Sequence, residues 1–217
     1  MKSSMLSLAA LLPLLLLSSC QTPYYAAMEK VGVHKRDILM DRVEKGKEAQ
    51  QQAKEQFASA LEEFSALTNF DGGSLQITYD RLHRELERSE KRAKDVKDRI
   101  DAIEEVSKAL FKEWKKEIGD YQNESYRAIS ETQLQQTRER YDVLIRVMKR
   151  AEASIEPVLV TFRDQVLFLK HNLNAQAIAS LGEQSALLKS DVTALLLEME
   201  QSIAEADAFI ASMQPDA

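Results

Sequence analysis

The sequence predicts an all-α fold: an antiparallel bundle of four to five long helices with coiled-coil heptad seams, placed after an N-terminal signal peptide. Two observations carry this. Apolar residues recur in four-three alternation over long stretches, with Lys, Glu, Arg and Gln filling most positions between, the pattern of helices that bury one narrow stripe. The 217 residues also contain only six Gly and four Pro, too few turn formers for a sheet protein, and few turns mean long elements.

Residues 1–19 read as a signal peptide. Lys2 precedes an apolar run, residues 5–17, that is too short to span ~30 Å of hydrocarbon comfortably and is interrupted by Pro13. The run ends in Leu17-Ser18-Ser19-Cys20, which resembles the bacterial lipobox, with cleavage between Ser19 and Cys20 and lipid on Cys20. Cys20 is the single cysteine, so its thiol has no intramolecular partner in an oxidising compartment, and thioether formation removes that oddity. Several acyl chains at ~0.8 kcal/mol per buried methylene make such attachment effectively permanent. Gln21 is not the Asp that retains many Gram-negative lipoproteins at the inner membrane, so the resemblance implies the periplasmic face of the outer membrane. The net charge of −6 becomes more negative once Lys2 is removed, a surface that repels nucleic acid and anionic lipid.

Residues 20–35 carry Pro23, Tyr24, Tyr25, Gly32 and His34 without a sustained period and are expected to form a lipid-attachment tether. The bundle is expected over 36–213. Its first seam is Leu39, Val43, Gly46, Gln50, Ala53, Phe57, Ala60, Phe64 and Leu67, ended by the turn formers at 69–73, with Ser74 as the next N-cap. The second is the longest: Leu75, Tyr79, Leu82, Leu86, Ser89, Ala93, Val96, Ile100, Ile103, Ser107, Leu110 and Trp114. Ser89 and Ser107 interrupt it and either specify register or loosen the bundle for a partner; Trp114 reads as core packing. Two helices of about forty residues joined by a short loop make an antiparallel hairpin of roughly 60 Å. Gly119 closes the second helix and Asp120 is expected to open the third, which is weak at Tyr121, Ser125 and Ile129 and firm from Leu134 through Tyr141, Leu144, Met148 and Ile155. Pro157 either kinks one long helix, the preferred reading, or sits in the first turn of a new one. Residues 158–173 are apolar around much of the circumference and are expected to be the most buried segment. The capping-box spacing of Ser180 and Glu183 predicts the start of a last helix, with a seam of Leu188, Val192, Leu195, Met199, Ser202, Ala206, Phe209 and Met213; residues 214–217 are a frayed tail.

Nothing in the chain makes a catalytic or metal motif. His34, His83 and His171 lack a second His or Cys at ligand spacing, the carboxylate pairs lie among Lys and Arg on outer faces, and no nucleophile elbow or phosphate-cradling loop is present. A non-enzymatic chain without a cofactor is therefore expected. The one concentrated set of neutral polar groups, His171, Asn172 and Asn174, follows the apolar segment holding Phe162 and Phe168. The three polar residues either satisfy backbone groups near a helix end, or one another, or form with Phe162 and Phe168 a contact for a ligand or partner.

Three stretches, SLQITYDR at 74–81, ALFKEW at 109–114 and FRDQVLFLKHNLNA at 162–175, give the chain a resemblance to an uncharacterised family of bacterial lipoproteins, domain of unknown function 2959, over nearly all of the mature sequence. The resemblance implies a helical lipoprotein and carries over no activity. The expected role is a membrane-anchored envelope scaffold or protein-interaction module, partnered by the membrane through Cys20 and by an envelope protein or a second copy, with no nucleic acid. The alternative is a ligand-binding or stress-sensing bundle with a pocket near His171.

Overall fold

A computed structural model of the chain describes residues 21–68, 75–172 and 175–214. They form six helices: α1 Gln21–Lys30, α2 Lys35–Thr68, α3 Leu75–Ile118, α4 Glu124–Ala153, α5 Ile155–His171 and α6 Ala175–Met213. No strand occurs among the described residues. The chain divides into two compact units, Met1–His34 and Lys35–Ala217.

In the first unit, the stretch expected to be a plain tether contains α1. Ala26, Ala27, Met28 and Glu29 are good helix formers, and Pro23 falls in the first turn, where its missing N–H costs nothing. Gly32 ends the helix with φ +82°, the left-handed conformation that glycine adopts without penalty, while Gly32 N–H and Val33 N–H donate to the carbonyls of Glu29 and Met28.

In the second unit α2, α3, α4/α5 and α6 form a closed antiparallel four-helix bundle. The cross-links give the direction of every pair. Lys35 meets Glu113, Arg42 meets Glu105 and Gln56 meets Glu85, so α2 and α3 run in opposite senses. Lys47 with Asp207 and Lys54 with Glu200 do the same for α2 and α6. Trp114 with Ser130, Glu104 with Lys149 and Glu90 with Arg163 set α4 and α5 as one broken helix along α3, and Arg150 with Gln201 and Ser154 with Glu198 align it with α6.

The heptad seams are the core. Leu39, Val43, Ala53, Phe57, Ala60 and Phe64 of α2 are buried, as are Leu82, Leu86, Val96, Ile100, Ile103 and Leu110 of α3 and Leu188, Val192, Leu195, Met199, Ala206 and Phe209 of α6. Each large side chain so buried contributes about 1.5–3 kcal/mol relative to exposure. Gly46 is at a seam position because the helices come close there: a Cβ would lie 2.8 Å from Ile103 Cδ1 and 3.0 Å from Met148 Cε. One turn on, buried Gln50 crosses the core, its Oε1 accepting from Ser202 Oγ at 2.7 Å and its Nε2 donating to the Met148 carbonyl at 3.4 Å. That layer ties α2 to α4 and α6 and satisfies an amide that would otherwise cost about 1–3 kcal/mol.

Four local expectations change or gain detail. Asn123, not Asp120, opens α4: its Oδ1 accepts from the N–H groups of Ser125 and Tyr126 at 2.9 and 3.2 Å. The last helix begins at Ala175, five residues before the Ser180 signal, because Ala175, Gln176, Ala177 and Ile178 continue the helix-forming run in front of it. At Pro157 the two alternatives merge. Ser154 separates α4 from α5 but keeps right-handed helical dihedrals (φ −75°, ψ −11°), so the break has the character of a kink while Pro157 lies in the first turn of α5. Finally, α5 is not buried all round: Val158, Leu159, Phe162, Val166 and Leu169 face inward, whereas Val160, Leu167 and Phe168 are exposed, because this helix packs mainly against α3 and α6 and its outer side is left uncovered. The expected turn at 69–73 and the Ser74 cap lie outside the described residues.

Candidate functional site

Ser19, Cys20 and Asn174 lie outside the described residues. The other members of the predicted contact set do not converge. Phe162 points into the core, where its ring meets Phe64 edge-on at 6.4 Å between centroids. Phe168, six positions on, has turned through about 600°, or 240° net, and emerges on the outer side at 41% exposure. His171 is exposed. Asn172 caps α5, its N–H donating to the Leu169 carbonyl at 3.1 Å and its Nδ2 to the Phe168 carbonyl at 2.9 Å. Asn172 therefore plays the helix-end role open to it in the sequence.

What α5 presents outward is an apolar row, Val160, Leu167 and Phe168, and α6 adds Leu187 and Leu197 at 66% and 61% exposure. Inward, the same helix holds Gln165. It is 2% exposed, and neither its Nε2 nor its Oε1 has a hydrogen-bond partner. A wholly buried amide with both ends unpaired is rare in folded proteins. The sequence signal for it was present but faint: a Gln at the helical spacing of Phe162 and Leu169.

A second feature lies along the outer junction of α3 and α4. Two adjoining cavities of 670 and 470 Å³ share Arg138 and Asp142 as lining residues and together run from Gly119 and Arg127 to Ile145. Ile118 and Leu134 floor the first; Phe111, Tyr141 and Ile145 floor the second. Phe111 and Tyr141 pack edge to face at 5.4 Å, and the Arg138 guanidinium stands 5.0 Å from the centre of the Phe111 ring. Burial raises the Tyr141 pKa above its ordinary 10.0, and a hydrogen bond with Ser107 partly opposes the shift. Of the charged residues of the groove, Lys108, Lys112 and Lys115 come from α3 together with Glu104, which pairs with Lys149, while Glu131, Glu139 and Asp142 come from α4 together with Arg127 and Arg138. Periodicity marked Leu134 and Tyr141 as seam residues, but open space between two helices has no signature in one chain's pattern.

Trp114, expected to be packing, is half-buried and donates its indole N–H to Ser130 Oγ at 2.8 Å. Among the described residues no group of three or more His, Cys, Asp or Glu is placed to hold a metal ion. No described helix is long and apolar enough to cross a membrane.

No curated protein and no solved structure matches the chain. The family described as "Protein of unknown function (DUF2959)" matches residues 24–213, almost the whole of the chain beyond Cys20, and the protein belongs to that family.

Proposed function

We propose that this is a membrane-anchored periplasmic lipoprotein that works as a non-enzymatic helical scaffold, holding a protein partner at the cell envelope. The anchor in this reading is the lipid on Cys20, following Leu17-Ser18-Ser19, and the outer membrane is the destination because Gln21 follows Cys20. The observation that carries the interaction role is the outer apolar row of α5. Val160 and Leu167 are seven residues apart on one helical face, Phe168 adjoins them, and a folded chain gains nothing by leaving such side chains in water. A partner helix laid along them would bury that surface.

Affinity capture from cross-linked envelopes tests this, with wild type beside Leu167→Asp/Phe168→Asp, two exposed substitutions whose folding is checked by circular dichroism. The scaffold reading expects one envelope protein in stoichiometric amount with wild type and its loss with the variant. Equal recovery from both would remove the row from the interface. Radiolabelled palmitate should enter wild type and not Cys20→Ser, and labelling of both would end the lipoprotein reading.

A second reading, a ligand-binding or stress-sensing bundle, is favoured by Gln165. A ligand offering one donor and one acceptor would satisfy its amide inside the apolar layer that Phe162 helps to build. An envelope extract that raises the melting temperature of wild type but not of Gln165→Leu supports it; equal shifts in both discard it.

A further inference from the structure

We infer that the groove between α3 and α4 is a docking site for an amphipathic partner helix that has an apolar seam, one acidic flank and one basic flank. The inference rests on the reading of the chain as a partner-binding bundle and adds to the α5 row a second docking surface, with the chemistry of what it takes. From Arg127 to Ile145 the α4 wall is about 27 Å long at ~1.5 Å per residue, room for a helix of about five turns. The floor is apolar along this length, through Ile118, Leu134, Phe111, Tyr141 and Ile145.

The lips decide what lies on that floor. On the α3 side Lys108, Lys112 and Lys115 follow one another at four- and three-residue spacing and are exposed, and none has an ion-pair partner among the described residues. On the α4 side Glu131, Glu139 and Asp142 are exposed; Glu139 accepts from Gln135 Nε2 at 3.0 Å, and no ion pair engages any of the three among the described residues. The three groove residues that break this pattern are already engaged, Glu104 of α3 with Lys149 at 3.1 Å and two arginines of α4 with backbone carbonyls. Arg138 lies over Phe111 and donates toward its carbonyl at 3.4 Å, and Arg127 donates to the Tyr121 carbonyl at 2.6 Å.

A basic lip facing an acidic lip across an apolar floor is the arrangement that two helices of a coiled coil offer a third, with flanking positions waiting for opposite charges. Nucleic acid, an anionic lipid surface or a uniformly acidic peptide would meet three carboxylates on one side, and a basic peptide would meet three lysines on the other. A helix acidic along one flank and basic along the other meets neither clash. Direction follows too, since reversing such a helix exchanges its flanks and only one orientation matches both lips.

Fluorescence anisotropy on the full chain in detergent tests the inference with three labelled helical peptides of about eighteen residues. All share one leucine seam and differ in flanks: Glu with Lys, Glu with Glu, or Lys with Lys. Wild type should bind the mixed peptide about tenfold more tightly than either uniform one, since three rim pairs, individually weak, act together. Lys108→Glu/Lys112→Glu/Lys115→Glu should move the preference to the Lys/Lys peptide. Glu131→Lys/Asp142→Lys should move it to the Glu/Glu peptide. Because each variant gains a ligand as it loses one, a misfolded variant is told apart from a correct prediction, and the second variant stands if the first fails to fold. Equal binding of all three peptides, binding of none, or a preference that neither variant moves would overturn the inference. So would a concentration-dependent dimer that the mixed peptide fails to dissociate, which would assign the groove to a second copy. If envelope capture still recovers its partner with the triple Lys variant, the scaffold reading survives and this groove is not its docking site.

Discussion

Gly46 and Gln165 show at single positions how closely the bundle is fitted. Alanine at 46 gains about 1 kcal/mol of helix propensity over glycine, yet its methyl would press on Ile103 Cδ1 and Met148 Cε, the ends of two fully buried side chains that must shift within the core to admit it. Overpacking of this kind costs about 1–3 kcal/mol, so Gly46→Ala should destabilise the chain by about 1 kcal/mol net in urea unfolding. In a Met148→Ala background the methyl has room, and Gly46→Ala should then stabilise; the same sign in both backgrounds would remove close approach as the reason for the glycine. Gln165 works in the opposite sense. Leucine there discards an amide with no partner at either end, which should raise stability by about 1–3 kcal/mol, whereas Gln50→Leu, which breaks a satisfied layer and strands Ser202, should lower it. A Gln165→Leu chain no more stable than wild type would mean that a buried water already holds the amide.

Among the elements, what was legible in the sequence follows the number of residues that repeat a rule. Leu39 to Phe64, Leu82 to Leu110 and Leu188 to Met213 obey one period over many turns, and the buried residues of α2, α3 and α6 are those residues almost position for position. Helix ends depend on one or two groups: Gly119 does follow the last residue of α3, but the starts of α4 and α6 fall elsewhere than expected. Gly119, Asp120 and Asn123 stand almost together, each chemically able to end or cap a helix, and only the fold decides that Asn123 reaches the first turn of α4. The Ser180 and Glu183 spacing recurs by chance inside helices, where the residues before it already favour helix. In α5, composition showed apolar residues on every side, but the count of neighbouring helices decides how many sides are covered. The α3–α4 groove and the unpaired Gln165 amide were illegible for a related reason, since both are properties of the space between helices. The Asn123 cap gives a test at this scale. Its two hydrogen bonds hold a first turn that is otherwise exposed, so Asn123→Ala should cost about 1 kcal/mol and Asn123→Ser little. The loss should appear as faster amide exchange in residues 124–130, with the amides of α2 unchanged; a uniform acceleration throughout the bundle would contradict a local cap.

For the bundle as a whole, the response to alkali reports how its layers are tied together. Tyr141 is buried at the α3–α4 contact, and burial holds its phenol neutral beyond the ordinary 10.0 despite the Ser107 hydrogen bond. Lys47 joins α2 to α6, and its hydrogen bonds to Glu44 and Asp207 raise its pKa above 10.5. In both groups the folded chain keeps its proton more tightly than the unfolded chain does. Their contributions are therefore complete below the unfolded values of 10.0 and 10.5 and are lost as pH rises through the higher folded values. Thermal melting should accordingly show no contribution from either group to the pH dependence through the neutral range, and a decline that begins only above pH 10.0. Tyrosinate absorbance separates the two causes, because Tyr141 must leave the core or carry charge into it, and the Lys47 ammonium contributes nothing to that signal. Tyr141 should ionise together with the loss of helical signal, and Tyr141→Phe should remove its share of that step while leaving the Lys47 part of the decline. A late step of undiminished amplitude in Tyr141→Phe, or a tyrosine titration complete before any unfolding, would show that the α3–α4 layer does not hold its phenol as the packing around Phe111 requires.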